Sequence, residues 1–334
     1  MKAFVIARAT GPDGLELRDI PEQPMGPSDV VVAVRASALN RADLLQMRGQ
    51  YPAPAGVPAD VPGLEYAGEV VAAGKYAQRF KPGDRVMGLV GGGAFAEKVV
   101  VHEREALPIP EGMGFEQAAA VPEAFITAWD ALVLQGGLRS GEAVLIHAAT
   151  SGVGTAAAQI VSALGARVLA TGRSRGKLER LTRDLGGVTT FLVDAEPRFA
   201  DEVKRAAGGV GIDLALDLVG GAYLPETLKA LAPRGRLILV GLLAGSEAQV
   251  DLRLLLTRRA QIIGTVLRSR PLEEKIGVAR AAERHLLPLF EQRRLRPVID
   301  AVMPMGDIRR AAERVLANQT YGKVVLSRVA GGSP

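Results

Sequence analysis

From Ala143 to about Leu267 the chain alternates short apolar runs with stretches whose apolar residues recur at helical spacing. The apolar runs are AVLIHAA, ARVLAT, TTFLVD, IDLALDLVG, GRLILVGLL and AQIIGTVL. The helical patterns lie at 152–164, 177–185, 197–207, 223–232 and 252–259. A run that is apolar at nearly every position is buried on both faces, which predicts parallel strands covered by helices. Six such runs in this rhythm predict an α/β, Rossmann-type doubly wound parallel sheet, made of two βαβαβ halves.

The flanks lack that rhythm. Residues 1–120 carry alternating pieces such as KAFVIAR, DVVVAVRAS, EYAGEVVAAG, DRVMGLV and FAEKVVVH, punctuated by glycine and proline. They predict a compact, partly barrel-like β domain. Beyond residue 267 come a long helical stretch at 272–294, the run VIDAVMPM, a helix at 306–318 and a terminal strand GKVVLS. At 334 residues two domains are expected. The simplest closure returns the tail to the first, so residues 1–120 and 268–334 form one domain and 121–267 the other, inserted between them.

The segment HAATSGVGTAAAQ follows the first strand of the alternating region and opens its first helix. That is where helix amides meet a pyrophosphate. In a G-x-G-x-x-G register Ala149 and Ser151 replace two glycines, while Gly152 and Gly154 supply the turn and the close helix approach. Ser151, Gly152, Val153 and Gly154 are therefore candidate phosphate contacts. An NAD site needs an acid at the end of the second strand for the ribose 2′-hydroxyl. Here Gly172 stands in that place, followed by Arg173, Ser174, Arg175 and Lys177. A hydroxyl and cations suit a 2′-phosphate, and cations at a helix start otherwise oppose its dipole. NADPH is the expected cofactor.

Composition narrows the chemistry further. With no cysteine, disulfides, thiolate nucleophiles and cysteine-based zinc sites are excluded. The three histidines form no H-x-x-x-H pair. The net charge of +5 is spread among acids, and aromatics make up 4%, so no nucleic-acid surface is expected. No apolar run reaches membrane-spanning length and the start has no signal-peptide pattern, which predicts a cytoplasmic protein without a membrane partner.

The motifs LNRADLLQMRGQYP, PGLEYAGEVVAAG, KPGDRV, EAFITAWDAL, SGVGTAAAQ and IIGTVLRSR occur in an order and spacing that span essentially the whole chain. In these the chain resembles the medium-chain dehydrogenases/reductases, and within them the zinc-independent quinone oxidoreductases related to zeta-crystallin. It looks most like their stress-inducible NADPH quinone reductases. The resemblance implies a GroES-like β-rich domain into which the Rossmann-type sheet is inserted, and a homodimer formed through the edge of that sheet. Where zinc-dependent alcohol dehydrogenases carry catalytic ligands, this chain has Asn40, Leu64 and Glu123. Their structural-zinc lobe is replaced by the short MGLVGGGA. Asn40 and Tyr51 are the implied catalytic residues, with Asn40 also beside the nicotinamide. Asn40 is otherwise a turn residue and Tyr51 a loop anchor. Thr127 is implied near the nicotinamide, or else caps a helix. Val219 and Gly220 are implied on the adenosine side, Gly241, Leu242 and Leu243 at the crevice, Leu267 and Arg268 near the nicotinamide, and Lys323 at a phosphate.

Without a metal to polarise a carbonyl, the acceptor must already be electrophilic. Quinones fit, by hydride transfer in a metal-free cleft between the domains; conjugated enones and alkenals are the alternative. Asp43 and Glu65 are expected to hold local networks, and Glu123 either faces the pocket or pairs with a cation. A non-catalytic NADPH-binding protein is a third class, separated from the others by a test of NADPH oxidation.

Overall fold

The structure, a computed structural model, describes residues 1–328. The chain divides into two compact units, Met1–Ile126 with the segment from Leu267 onward, and Thr127–Val266. The first unit thus includes residues 121–126 and Leu267, which the sequence pattern had grouped with the insert.

In the first unit β1 (Lys2–Ile6) pairs antiparallel with β2 (Leu15–Asp19). The spine is β3 (Asp29–Leu39), and its alternating Val30, Val32 and Val34 point into the core. Directly after it comes α1 (Arg41–Met47), then β4 (Glu65–Ala73), β5 (Arg85–Leu89), β6 (Lys98–His102), β7 (Leu107–Pro108) and α2 (Phe115–Ala119). Both β4 and β6 pair antiparallel with β3. The stretch Pro122–Ile126 closes this part as a π-helical turn.

The second unit opens with α3 (Thr127–Trp129) and a second π-helical stretch, Asp130–Gln135. Strands and helices then alternate: β8 (Ala143–Ile146), α4 (Gly152–Ala163), β9 (Arg167–Gly172), α5 (Arg175–Leu185), β10 (Val188–Leu192) and α6 (Ala200–Ala206). They continue with β11 (Ile212–Asp217), α7 (Tyr223–Ala230), β12 (Leu231–Leu239), α8 (Leu252–Arg258) and β13 (Gln261–Gly264). The six strands are all parallel, in the order β10-β9-β8-β11-β12-β13. This is the doubly wound dinucleotide-binding sheet expected from the apolar runs. Its reversal of strand order falls at β8 and β11, whose residues are almost all buried. At one edge β13 is exposed or half-exposed throughout.

Back in the first unit, the helix expected over 272–294 is two helices, α9 (Leu272–His285) and α10 (Leu287–Glu291). Pro288, lacking an N–H, cannot extend a helix but suits the first turn of a new one. Then follow β14 (Ile299–Pro304), α11 (Ile308–Leu316) and β15 (Lys323–Ser327). By pairing antiparallel with β3, β15 returns the tail to the first unit's sheet. Ile308, Ala311 and Ala312 of α11 pack with Leu39, Leu44, Met47 and Val324.

Candidate active site

The turn between β8 and α4 is a built anion cradle. Ala148 takes the left-handed conformation (φ 48°), which reverses the chain toward the helix. Ser151 caps α4, its Oγ accepting the Gly154 N–H at 3.1 Å. A Cβ on Gly154 would lie 2.4 Å from the Ala148 carbonyl oxygen, so only glycine lets the helix approach the strand this closely. The amides of Gly152 and Val153 have no acceptor within the helix, and the helix dipole adds positive potential beside them. The Ser151 oxygen acts there as an acceptor, so its own hydrogen remains available to donate.

At the end of β9, a Cβ on Gly172 would press on Leu178 Cδ2 at 2.9 Å. An acid there has no room unless Leu178 moves. Arg173, Ser174 and Arg175 are exposed, and Lys177 is half-buried on the first turn of α5. Ser174 occupies the N-cap position without capping through its hydroxyl. Beyond β11, the amides of Val219 and Gly220 both donate to Asp217 Oδ1, at 2.8 and 2.9 Å. Any contact they make with a nucleotide must therefore use other atoms. Gly241 passes so close to Leu218 that a Cβ would sit 2.6 Å from its carbonyl oxygen. Leu242 and Leu243 after β12 are about half exposed, an apolar pair at the carboxyl edge of the sheet. Thr127 is buried at the start of α3.

The first unit holds a second polar constellation, gathered from β3, α1, β4, the π-helical turn and β15. Glu65 and Asp43 are fully buried and Lys323 nearly so. The Lys323 ammonium donates to Glu65 Oε1 at 2.6 Å, to the Leu39 carbonyl at 3.0 Å and to Asn40 Oδ1. All three of its hydrogens are thus engaged within the cluster. Asn40 is committed likewise: Nδ2 donates to Glu65 Oε1 at 2.8 Å and to the Ala38 carbonyl at 3.3 Å. With both N–H bonds engaged, Asn40 braces the cluster in this structure. Asp43 accepts the amides of Asn40 and Gly63, at 2.8 and 3.0 Å. Burial still pushes its carboxyl up to about 7.

Two groups stay uncommitted. The hydroxyl of half-buried Tyr51 has no hydrogen-bond partner among the described residues. Its ring lies under the Arg268 guanidinium, 4.7 Å from the ring centre. Arg268 itself donates to the Gly91, Tyr51 and Gln46 oxygens at 2.7, 3.0 and 2.5 Å, which makes it the clamp of the Tyr51 loop. Leu267, beside it, is half-buried. The second free group is Glu123. Its amide donates to Glu65 Oε2 at 2.8 Å, but its half-buried carboxyl accepts no hydrogen bond among the described residues. Burial first, and then the Glu65 carboxylate, push that carboxyl up to about 8.

This donor set does not fit zinc. Among the described residues no group of three or more histidine, cysteine or acidic side chains is arranged to hold a metal ion. The positive charge beside Glu65 is the Lys323 ammonium instead. The residues of the α4 turn and the β9 end fit a dinucleotide: Gly152 and Val153 would offer amides to its pyrophosphate, and Gly172 would leave no acid beside its ribose.

Residues 26–111 match the alcohol dehydrogenase GroES-like domain, and residues 152–283 the zinc-binding dehydrogenase family. The chain is 32% identical to the rat (Rattus norvegicus) synaptic vesicle membrane protein VAT-1 homolog, covering 98% of this chain and 84% of that protein. It is 30% identical to mouse (Mus musculus) quinone oxidoreductase-like protein 2, covering 94% and 89%. Among solved structures it is similar to the quinone oxidoreductase of Pseudomonas syringae pv. Tomato DC3000 (TM-score 0.85, 28% identity, 98% and 99% covered). It is also similar to the CurK enoyl reductase (TM-score 0.85, 26% identity, 98% of each chain). A mycobacterial protein in complex with NADPH matches with a TM-score of 0.86 at 26% identity, over 98% of this chain and all of that one. The chain belongs to the medium-chain dehydrogenase/reductase superfamily of oxidoreductases. Its fold is the NAD(P)-binding one of that superfamily, a GroES-like domain with a Rossmann-type parallel sheet.

Proposed function

We propose that the protein is an NADPH-dependent, zinc-independent reductase of quinones, of the zeta-crystallin-like branch, working in the cytoplasm. The observation that supports this is the buried polar cluster of Glu65, Asp43 and Asn40 with Lys323, in which the lysine supplies the positive charge. Without a Lewis acid, the acceptor must draw a hydride by its own conjugation, as quinones do. When bound, the dihydronicotinamide supplies that hydride. The protein's part is to bind, orient and stabilise charge. Tyr51, held by Arg268, is the hydroxyl available to the acceptor oxygen as it gains negative charge. Ser174, Arg173 and Lys177 bind the ribose 2′-phosphate, with Gly172 offering no competing carboxylate. The quinone oxidoreductase relatives support this reading. Conjugated enones are the second reading, favoured by the free carboxyl of Glu123 and by the likeness to an enoyl reductase.

The cofactor assignment is tested by binding. Lys177→Ala should weaken NADPH about tenfold, the cost of one charge-assisted contact, and leave NADH nearly unchanged. Equal weakening of both would mean that Lys177 serves the fold and not the 2′-phosphate. We also propose a homodimer through β13, since Ile262, Val266 and, on α8, Leu252 and Leu256 are exposed around this unpaired sheet edge. Sedimentation should give twice the chain mass, and Ile262→Lys should give monomers. A wild-type monomer at micromolar concentration would remove the proposal.

A further inference from the structure

We propose that Glu123, as a neutral carboxylic acid, is the proton donor that completes reduction of an α,β-unsaturated carbonyl acceptor in this site. The inference rests on the hydride-transfer reading above and names an acceptor class and a residue for it. Three carboxyl groups meet in the first unit: Asp43, Glu65 and Glu123. One buried ammonium, Lys323, stands among them, and the Arg268 guanidinium, which donates to two carbonyls and an amide oxygen, adds a second positive charge. Ionising all three carboxyls against these two cations would still leave net negative charge, which favours keeping a proton on one of them. The hydrogen bonds decide where. Asp43 accepts two backbone amides, and Glu65 accepts an ammonium, a side-chain amide and a backbone amide. Both groups thus have their carboxyl oxygens engaged by donors. Glu123 accepts none among the described residues, and its carboxyl is pushed up further than that of Asp43, to about 8 against about 7, so it holds the proton most firmly.

Placement agrees with that role. Glu123 is partly exposed where Asp43 and Glu65 are fully buried, so of the three it lies nearest to solvent. Its amide is pinned to Glu65 on a π-helical turn, a local geometry often found at functional positions. The charged and titratable groups facing it are Glu65, Asp43, Lys323, Arg268 and Tyr51.

The chemistry balances as follows. A hydride from a dihydronicotinamide forms a C–H bond at the β-carbon, and the π electrons shift to give an enolate. The Glu123 O–H bond breaks, its proton goes to the α-carbon, and the electron pair stays on the carboxylate. Water then returns a proton to Glu123. A quinone needs no such donor, because its reduced form is a phenolate that water protonates at oxygen.

The test has two arms. In the cofactor-free protein carrying carboxyl-labelled glutamate, the infrared difference between wild type and Glu123→Gln should show a protonated acid at neutral pH that ionises near pH 8. In steady-state NADPH oxidation, Glu123→Gln should lower turnover of an enone about a hundredfold and of a quinone less than about threefold. Glu123→Asp, which keeps an acid, should recover part of the enone rate. An ionised Glu123 at neutral pH, or equal effects on both acceptors, would overturn the donor role. So would an enone rate indifferent to Glu123→Gln. If wild type reduces neither acceptor, the reductase reading falls and the donor role with it, whereas the infrared arm still reports the protonation of Glu123 separately.

Discussion

Two buried polar networks, one in each unit, are built on opposite plans. In the second unit His147 is fully buried, its Nδ1 and Nε2 each 2.8 Å from a hydroxyl, those of Thr171 and Thr227. Phe199 and Tyr223 pack against the ring at 5.1 Å. Every polar atom of the imidazole has a neutral partner, and burial lowers its pKa to about 4 despite nearby Asp217. The network of the first unit brings together three carboxyls, an amide and one ammonium, and it leaves one carboxyl without a donor. A saturated neutral network rigidifies a core and has nothing to exchange. An over-acidic one stores a proton near neutral pH. That contrast separates the network that holds a domain together from the one fit for chemistry.

The contrast is broken most severely by removing the cation. Lys323→Met leaves the Glu65 carboxylate buried without its ammonium, and should destabilise the protein by about 3–5 kcal/mol. A shift of the urea midpoint measures it. An unchanged midpoint would mean that the cluster is already neutral.

Opposite pH slopes sharpen it next. His147 has a folded pKa of about 4 against 6.5 in the unfolded chain, so acid binds the unfolded state first. Its contribution is present above about 6.5 and is lost as pH falls toward 4. Glu123 has a folded pKa of about 8 against 4.5, so its neutral form is the one the fold favours. Its penalty is absent below about 4.5 and grows as pH rises to about 8. Relative to wild type, Glu123→Gln should therefore gain stability with rising pH over that window. His147→Gln should instead lose relative stability with rising pH across its own window. Parallel trends in the two variants would refute the distinction.

How far the sequence revealed this differs between the networks and the fold. The six parallel strands were legible because each is a nearly unbroken apolar run, and the α4 turn because small residues fall where a helix must approach a strand. The break between α9 and α10 was marked by Pro288 but hidden within a continuous amphipathic pattern. The charged cluster was only half legible. Asp43 and Glu65 were expected to hold networks, and they do. The roles of Lys323 and Arg268 were missed because their partners are remote: Lys323 lies 258 residues from Glu65, and Arg268 lies 177 to 222 residues from its three acceptors. No local pattern records such pairings. A usable signal was present nonetheless, in a lysine opening an otherwise apolar terminal strand, where it requires a buried acid.

The proposed reduction draws on a dihydronicotinamide and protein groups, and on no metal. The most direct measurement is NADPH oxidation with a quinone by purified protein, before and after exhaustive chelation, with zinc determined on the same sample. The account predicts turnover that chelation leaves unchanged and zinc well below one atom per chain. Stoichiometric zinc, with activity lost on chelation and restored by adding zinc back, would contradict it.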